Sequence, residues 1–188
     1  MKEYIKSDLC RYVGIERVGV KMFLKHFIFN SGFKIMVYHR LWNNVDNKVL
    51  KFFIKLFFKR VSNKYFLHIP LEAKIGYGFY IGHGQSIVVN KTCEIGDNVN
   101  ISQFTTIGSN HDKAAKILSN VYIGPNVCIV EDVNIGENVI IGASSVVTKS
   151  VKNNCVVAGV PCKVLSKIEG ENKYIHNKYP VKGLRIKC

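Results

Sequence analysis

The sequence predicts a mainly β chain, a parallel β-helix with α-helices in front of it and a short helix or tail behind. Three observations predict it. Aliphatic residues recur every six positions through the middle of the chain, seven of them are followed at once by glycine, and the flanking segments drop the period and turn basic.

The residues before the period, 1–70, read as a basic, aromatic helical region with 14 Lys/Arg against 4 Asp/Glu. In KVLKFFIKLFFKR, Val49, Phe52, Phe53, Leu56 and Phe57 recur at three and four with Lys51, Lys55, Lys59 and Arg60 between them, the spacing of an amphipathic helix. Such a face either packs on the β-helix or a neighbouring subunit, or lies on anionic lipid with its aromatics in the interface and its lysines at the headgroups.

Residues 71–162 carry the period: Ile75, Ile81 and Ile87, then Ile95, Ile101 and Ile107, then Ile117, Ile123, Ile129, Ile135, Ile141 and Val147. Six residues are too few for an amphipathic helix, and β-branched strings such as NVCIVEDVNIGENVIIGASSVV favour strand. Short strand plus turn, three units to a triangular coil, points each aliphatic side chain into a central stack. Gly or Asn at the corners permits the tight, left-handed backbone there. Stacked coils share one apolar core. The remainder, 163–188, is a polar, basic tail with 7 Lys/Arg against 2 Asp/Glu, expected as a short helix and then a loosely held end.

The net charge of +14 thus divides into +10, −1 and +5 along the chain. That excess suits an anionic ligand or lipid surface; nucleic acid is set aside because no nucleic-acid module can be read. Cys10, Cys93, Cys128, Cys155, Cys162 and Cys188 contain no CxxC and no close pair, so they read as reduced thiols rather than as a zinc site or a disulfide framework. With no signal-peptide layout and no run of 18 apolar residues, the expected location is cytoplasmic, with peripheral contact at the inner face of the plasma membrane.

Two interruptions of the period mark the expected site. Ile87 to Ile95 is a step of eight and Ile107 to Ile117 a step of ten, the second throwing out a polar loop at 109–116. Loops leaving a regular scaffold commonly carry chemistry. His83, in IGHGQSIVVNKT, and His111, on the loop, are the histidines at these interruptions. A neutral imidazole can take the proton that a hydroxyl sheds as it attacks an acyl group.

His83 in GHGQSIVVNKT, the later His111, the run VYIGPNVCIVEDVNIGENVIIGASSVV and the closing AGVPCK resemble the serine acetyltransferase branch of the hexapeptide acyltransferases. Within that branch the chain is most similar to short polysaccharide-biosynthesis members such as colanic acid acetyltransferase. The resemblance runs from about Leu67 to Leu165. It implies a left-handed β-helix, a homotrimer with active sites between neighbouring subunits, and acetyl-CoA as co-substrate with no metal. It also implies direct acetyl transfer with His83 as general base and His111 as the second active-site histidine. Coenzyme contacts fall at Gly124, Pro125, Gly142 and Ala143, with Lys163 at a phosphate.

Three departures bear on the acceptor. Serine acetyltransferases carry an acid before the first histidine and an arginine before the second, where this chain has Gly82 and Asn110; the carboxylate that orients the base aligns with His68. Asp97 and Asp112 are possible substitutes for it, while Glu131 and Asp132 read as surface residues. Loss of both zwitterion contacts predicts a neutral acceptor, the hydroxyl of a sugar in a surface polysaccharide or its lipid-linked precursor. The alternatives are serine O-acetyltransfer and a non-catalytic β-helix scaffold. A zinc carbonic anhydrase would need three histidine ligands, and His68, His83 and His111 do not match that spacing.

Overall fold

In a computed structural model, which describes residues 2–181, the parallel β-helix is present and is left-handed, as the resemblance implies. Its three faces each repeat once per coil. The first stacks β1 (Leu67–His68), β4 (Ile87–Val89), β7 (Thr106–Gly108), β10 (Cys128–Val130) and β13 (Val146–Val147). The second stacks β2 (Lys74–Ile75), β5 (Glu94–Ile95), β8 (Lys116–Ile117) and β11 (Asn134–Ile135). The third stacks β3 (Tyr80–Ile81), β6 (Asn100–Ile101), β9 (Tyr122–Ile123), β12 (Ile140–Ile141) and β14 (Cys155–Ala158), closed by β15 (Lys163–Lys167). All pairings are parallel except β14 with β15. All twelve period residues are buried, Ile75 at 8% exposure being the least enclosed.

Glycine and asparagine divide the labour at the corners differently from the sequence expectation. The left-handed backbone falls mainly on asparagine, at Asn98, Asn120, Asn126, Asn138 and Asn154. Its short polar side chain tolerates that conformation. The glycines after the isoleucines answer instead to crowding between coils. A Cβ on Gly96 would lie 2.8 Å from the Leu118 carbonyl carbon, and one on Gly124 2.9 Å from Ala143 N.

The outward residues of the three faces differ in kind. On the second, Lys74, Glu94 and Lys116 align in register and pair at 2.8 and 3.6 Å. On the third, Tyr80, Asn100 and Tyr122 lie beneath α1 (Lys2–Val13) and the tail. Arg11 donates to Asn100 Oδ1 at 2.6 Å and to His176 O at 3.0 Å, and the Tyr122 and Tyr174 rings lie 4.7 Å apart. The first face presents His68, Val88, Thr106, Cys128 and Val146 in one row. Among the described residues neither a helix nor the tail covers it.

The helices continue with α2 (Val20–Phe29), α3 (Ser31–Asn44) and α4 (Lys48–Tyr65). Asn30 and Asn47 cap α3 and α4 by accepting from the amides of Phe33 and Leu50. A buried pair welds α1 and α3 to the first coil: Arg40 Nε lies 2.9 Å from Asp8 Oδ2 and the same guanidinium donates to the Ile75 and Gly76 carbonyls at 2.6 Å. Phe79 N donates to Asp8 at 2.9 Å, so the two buried charges have partners on every side.

The tail departs from expectation. Residues Lys163–Lys167 form β15, not a helix, because β14 offers an open edge at the end of the solenoid. The segment beyond is held: Asn172, Ile175 and Tyr179 are buried, and Tyr179 N donates to Asn98 Oδ1 at 2.8 Å. Residues 182–188 of the tail, with Cys188, lie outside the described residues.

Candidate active site

His83 stands on the edge where the third face turns into the first, in the turn 82–86 between β3 and β4. That turn is irregular. Further along the same edge the left-handed residue comes three after the aliphatic one, at Phe104, Asn126 and Ser144, whereas here it is Ser86, five after Ile81. The start of α3 holds the turn from outside. A Cβ on Gly84 would meet Gly32 N at 2.7 Å, and Ser31 Oγ donates to Gly84 O at 2.9 Å. The His83 carbonyl accepts from Gln85 N at 2.9 Å, while its imidazole faces solvent.

The residues expected at the coenzyme lie on this same edge. Successive turns are tied by Phe104 N to Gln85 O at 3.3 Å, Asn126 N to Gln103 O at 3.0 Å, Ser144 N to Pro125 O at 2.9 Å and Val146 N to Gly159 O at 3.0 Å. Pro125 is half-buried, Ala143 is exposed, and exposed Lys163 opens β15 beside the last of these turns. Four strand spacings separate the His83 turn from that point, about 19 Å. Gly124 and Gly142 have a packing reason to be glycine as well, since a Cβ on Gly142 would lie 2.9 Å from Ala158 Cβ.

His111 is elsewhere. Its loop leaves the edge between the first and second faces, as does the two-residue extension at 90–93. His83 therefore does not sit on either break of the period. The two histidines flank the first face from opposite sides and do not meet within one chain. His68 is exposed on that face one coil before His83's strand β4, and the two share no hydrogen bond among the described residues. The Gly82 amide donates to Ile101 O at 3.3 Å and Asn110 N to Glu131 Oε1 at 3.4 Å. Asp97 is on the far edge, accepting from Tyr77 N at 2.8 Å, and Asp112 is exposed on the loop.

Glu131 is the residue that sequence reasoning missed. Read as a surface acid, it is the acceptor around which the loop is built: Ser109 Oγ donates to Oε2 at 2.7 Å, and His111 Nε2 lies 4.0 Å from the same oxygen. The Ser109 hydroxyl, helped by the Asn110 amide and the His111 ring, holds its carboxyl below the usual range. The available signal was its position, two after Ile129, where the backbone is left-handed at φ 63°. Glutamate gains nothing in that conformation unless its side chain has work there.

Comparison with known proteins agrees with the fold. A family model described as bacterial transferase hexapeptide (six repeats) matches residues 114–149. That match lies within the solenoid, over the coils that carry β8 to β13. The hexapeptide chain is 31% identical over 138 residues to serine acetyltransferase of Synechococcus elongatus, covering 71% of this chain and 57% of that protein. It is 37% identical over 118 residues to galactoside O-acetyltransferase of Escherichia coli K12, covering 55% and 58%. The crystal structure of serine acetyltransferase in complex with coenzyme A from Brucella abortus superposes with a TM-score of 0.74 at 28% identity, covering 89% of this chain and 68% of that one. The hexapeptide chain thus spans little more than half the length of the two curated relatives.

Proposed function

We propose that this chain is an acetyl-CoA-dependent O-acetyltransferase working as a homotrimer. The observation that carries the reading is the His83 edge: an exposed imidazole at one end, a lysine about 19 Å away at the other, and Pro125 and Ala143 between them. An extended pantetheine arm laid along this edge would bring its thioester to His83 and its phosphates to Lys163. Likeness to a structure holding coenzyme A supports the same use.

The faces support the trimer. Among the described residues the first face is uncovered, and its outward row carries no Lys, Arg, Asp or Glu. Packing three copies by this face about a threefold axis brings the His83 edge of one copy to the His111 loop of the next. The site is then complete only between subunits.

Within that site the acceptor hydroxyl gives its proton to neutral His83 as its oxygen attacks the thioester carbonyl. The tetrahedral intermediate collapses, the C–S bond breaks, and His83 returns the proton to the departing coenzyme A sulfur. His111, steadied by Glu131, meets the acceptor or the developing oxyanion from the neighbouring chain.

Similarity favours serine as the acceptor, because serine acetyltransferases recur among the relatives and structures. The His111 region adds an acid and a base, Glu131 on the next coil and exposed Lys113 on the loop, able to meet an ammonium and a carboxylate. A second reading, a sugar hydroxyl, rests on the uncharged Gly82 and Asn110 and on the likeness to galactoside O-acetyltransferase. Coenzyme A release from acetyl-CoA, measured with serine and with a panel of sugars and with His83→Ala as control, decides. Release with serine alone supports the first acceptor and release with sugars alone the second, while equal release by His83→Ala overturns the mechanism.

A further inference from the structure

The apolar stripe of α4 faces outward. Ile54, Phe58 and Ser62 form its buried side, whereas Val49, Phe52, Phe53, Leu56 and Phe57 are exposed, Phe52 at 64%. The stripe extends onto α2, where Val20, Leu24, Ile28 and Phe29 are exposed, Phe29 at 81%. Rings bridge the two helices across α3: Phe27 to Tyr38 at 5.7 Å and Tyr38 to Phe57 at 6.3 Å. A monomeric soluble protein seldom leaves so broad an apolar surface to water.

The charge beside this stripe is of one sign. α4 carries Lys48, Lys51, Lys55, Lys59, Arg60 and Lys64 and no acid, and residues 20–66 hold ten Lys/Arg against Asp46 alone. Lys51 lies over the Trp42 ring at 5.1 Å and Lys34 over Phe27 at 5.9 Å, so two of the cations border the aromatic surface. Two copies meeting through this face would set lysine against lysine. An occupant with negative charge over an apolar interior fits both features at once.

We propose that the outer face of α2 and α4 docks on an anionic lipid bilayer, with its phenylalanines entering the interface and its lysines meeting lipid phosphates. The docking is peripheral: among the described residues no helix is long and apolar enough to cross a membrane. An 18-residue helix lying flat offers a contact line about 27 Å long. The inference does not depend on the acetyl-transfer reading, since its test reads binding alone.

Flotation of the purified protein with phosphatidylglycerol-containing vesicles and with phosphatidylcholine vesicles tests it. Expected is binding to the anionic vesicles only, weakened by salt and reduced on the order of 25-fold in Lys55→Gln/Lys59→Gln, about five-fold per lysine. Phe52→Ser/Phe53→Ser should also lose binding while keeping the wild-type circular dichroism spectrum. No flotation, flotation with both vesicle types alike, or variants that bind as wild type would overturn it. So would a change of oligomeric state in the phenylalanine variant without lipid, which would make a second copy the occupant.

Discussion

The Glu131 carboxylate lies 4.0 Å from His111 Nε2, reaching from one coil to the loop that leaves the coil before it. Through Ser109 and the Asn110 amide it also fixes the loop's backbone, so one side chain governs both where His111 is and how freely it moves. Glu131→Ala should speed amide exchange at 109–113 and lower kcat/KM by up to about 100-fold, the cost of displacing a working group by about 1 Å. Glu131→Gln, which keeps an acceptor for Ser109, should retain the loop's protection. Hydrogen exchange and steady-state kinetics on the two variants separate anchoring from charge.

Replacing His83 by alanine removes an exposed side chain, so folding should be unaffected while kcat falls by about 100- to 10,000-fold, the usual contribution of a positioned base. If each site takes His83 from one chain and His111 from the next, mixing His83→Ala with His111→Ala protein after dissociation and reassembly should restore activity. About a quarter of the sites would regain both histidines at random assortment. Mixed trimers as inactive as either parent would show that the two histidines act within one chain or separately.

Gly84 is where α3 presses on the His83 turn. A methyl group there would collide with the backbone of Gly32, and overpacking of this kind costs about 1–3 kcal/mol. Gly84→Ala should lower thermal stability accordingly and reduce activity more than Gly108→Ala, where a Cβ meets nothing nearer than 3.7 Å.

His39 is buried beside Arg40, and burial together with that positive charge pushes its pKa down to about 3 from 6.5. The unfolded chain binds this proton between those values and the folded chain does not. Stability is therefore fully present above about pH 6.5 and declines as pH falls, by about 1.4 kcal/mol per unit from this group. Denaturant titrations from pH 7 to 5 should give a shallower slope for His39→Gln than for wild type.

Much of the solenoid could be read from residue spacing, since Ile75 through Val147 all point inward as the period requires. Spacing counts residues, not faces, and so could not tell that His83 and His111 occupy different edges; that follows from which strand each turn joins. Glu131 was passed over for a similar reason: its worth comes from Ser109, 22 residues earlier but one coil away. The tail misled because its composition is that of a loose end, while its order comes from single contacts such as Tyr179 on Asn98. The amphipathic spacing of α4 located its apolar stripe, yet Ile54 and Phe58, not the phenylalanines flanked by lysines, proved to face the core.

In an ordinary solenoid each coil touches only its neighbours, and the ends fray independently. Here the segment after β15 runs back down the third face, with Asn172 donating to the Asn120 and Val139 carbonyls, Tyr174 on Tyr122, the His176 carbonyl on Arg11 and the Tyr179 hydroxyl on Glu3. The last coil is thereby latched to the first helix, and neither end can peel away without releasing the other. The molecule is built to melt as one unit rather than coil by coil.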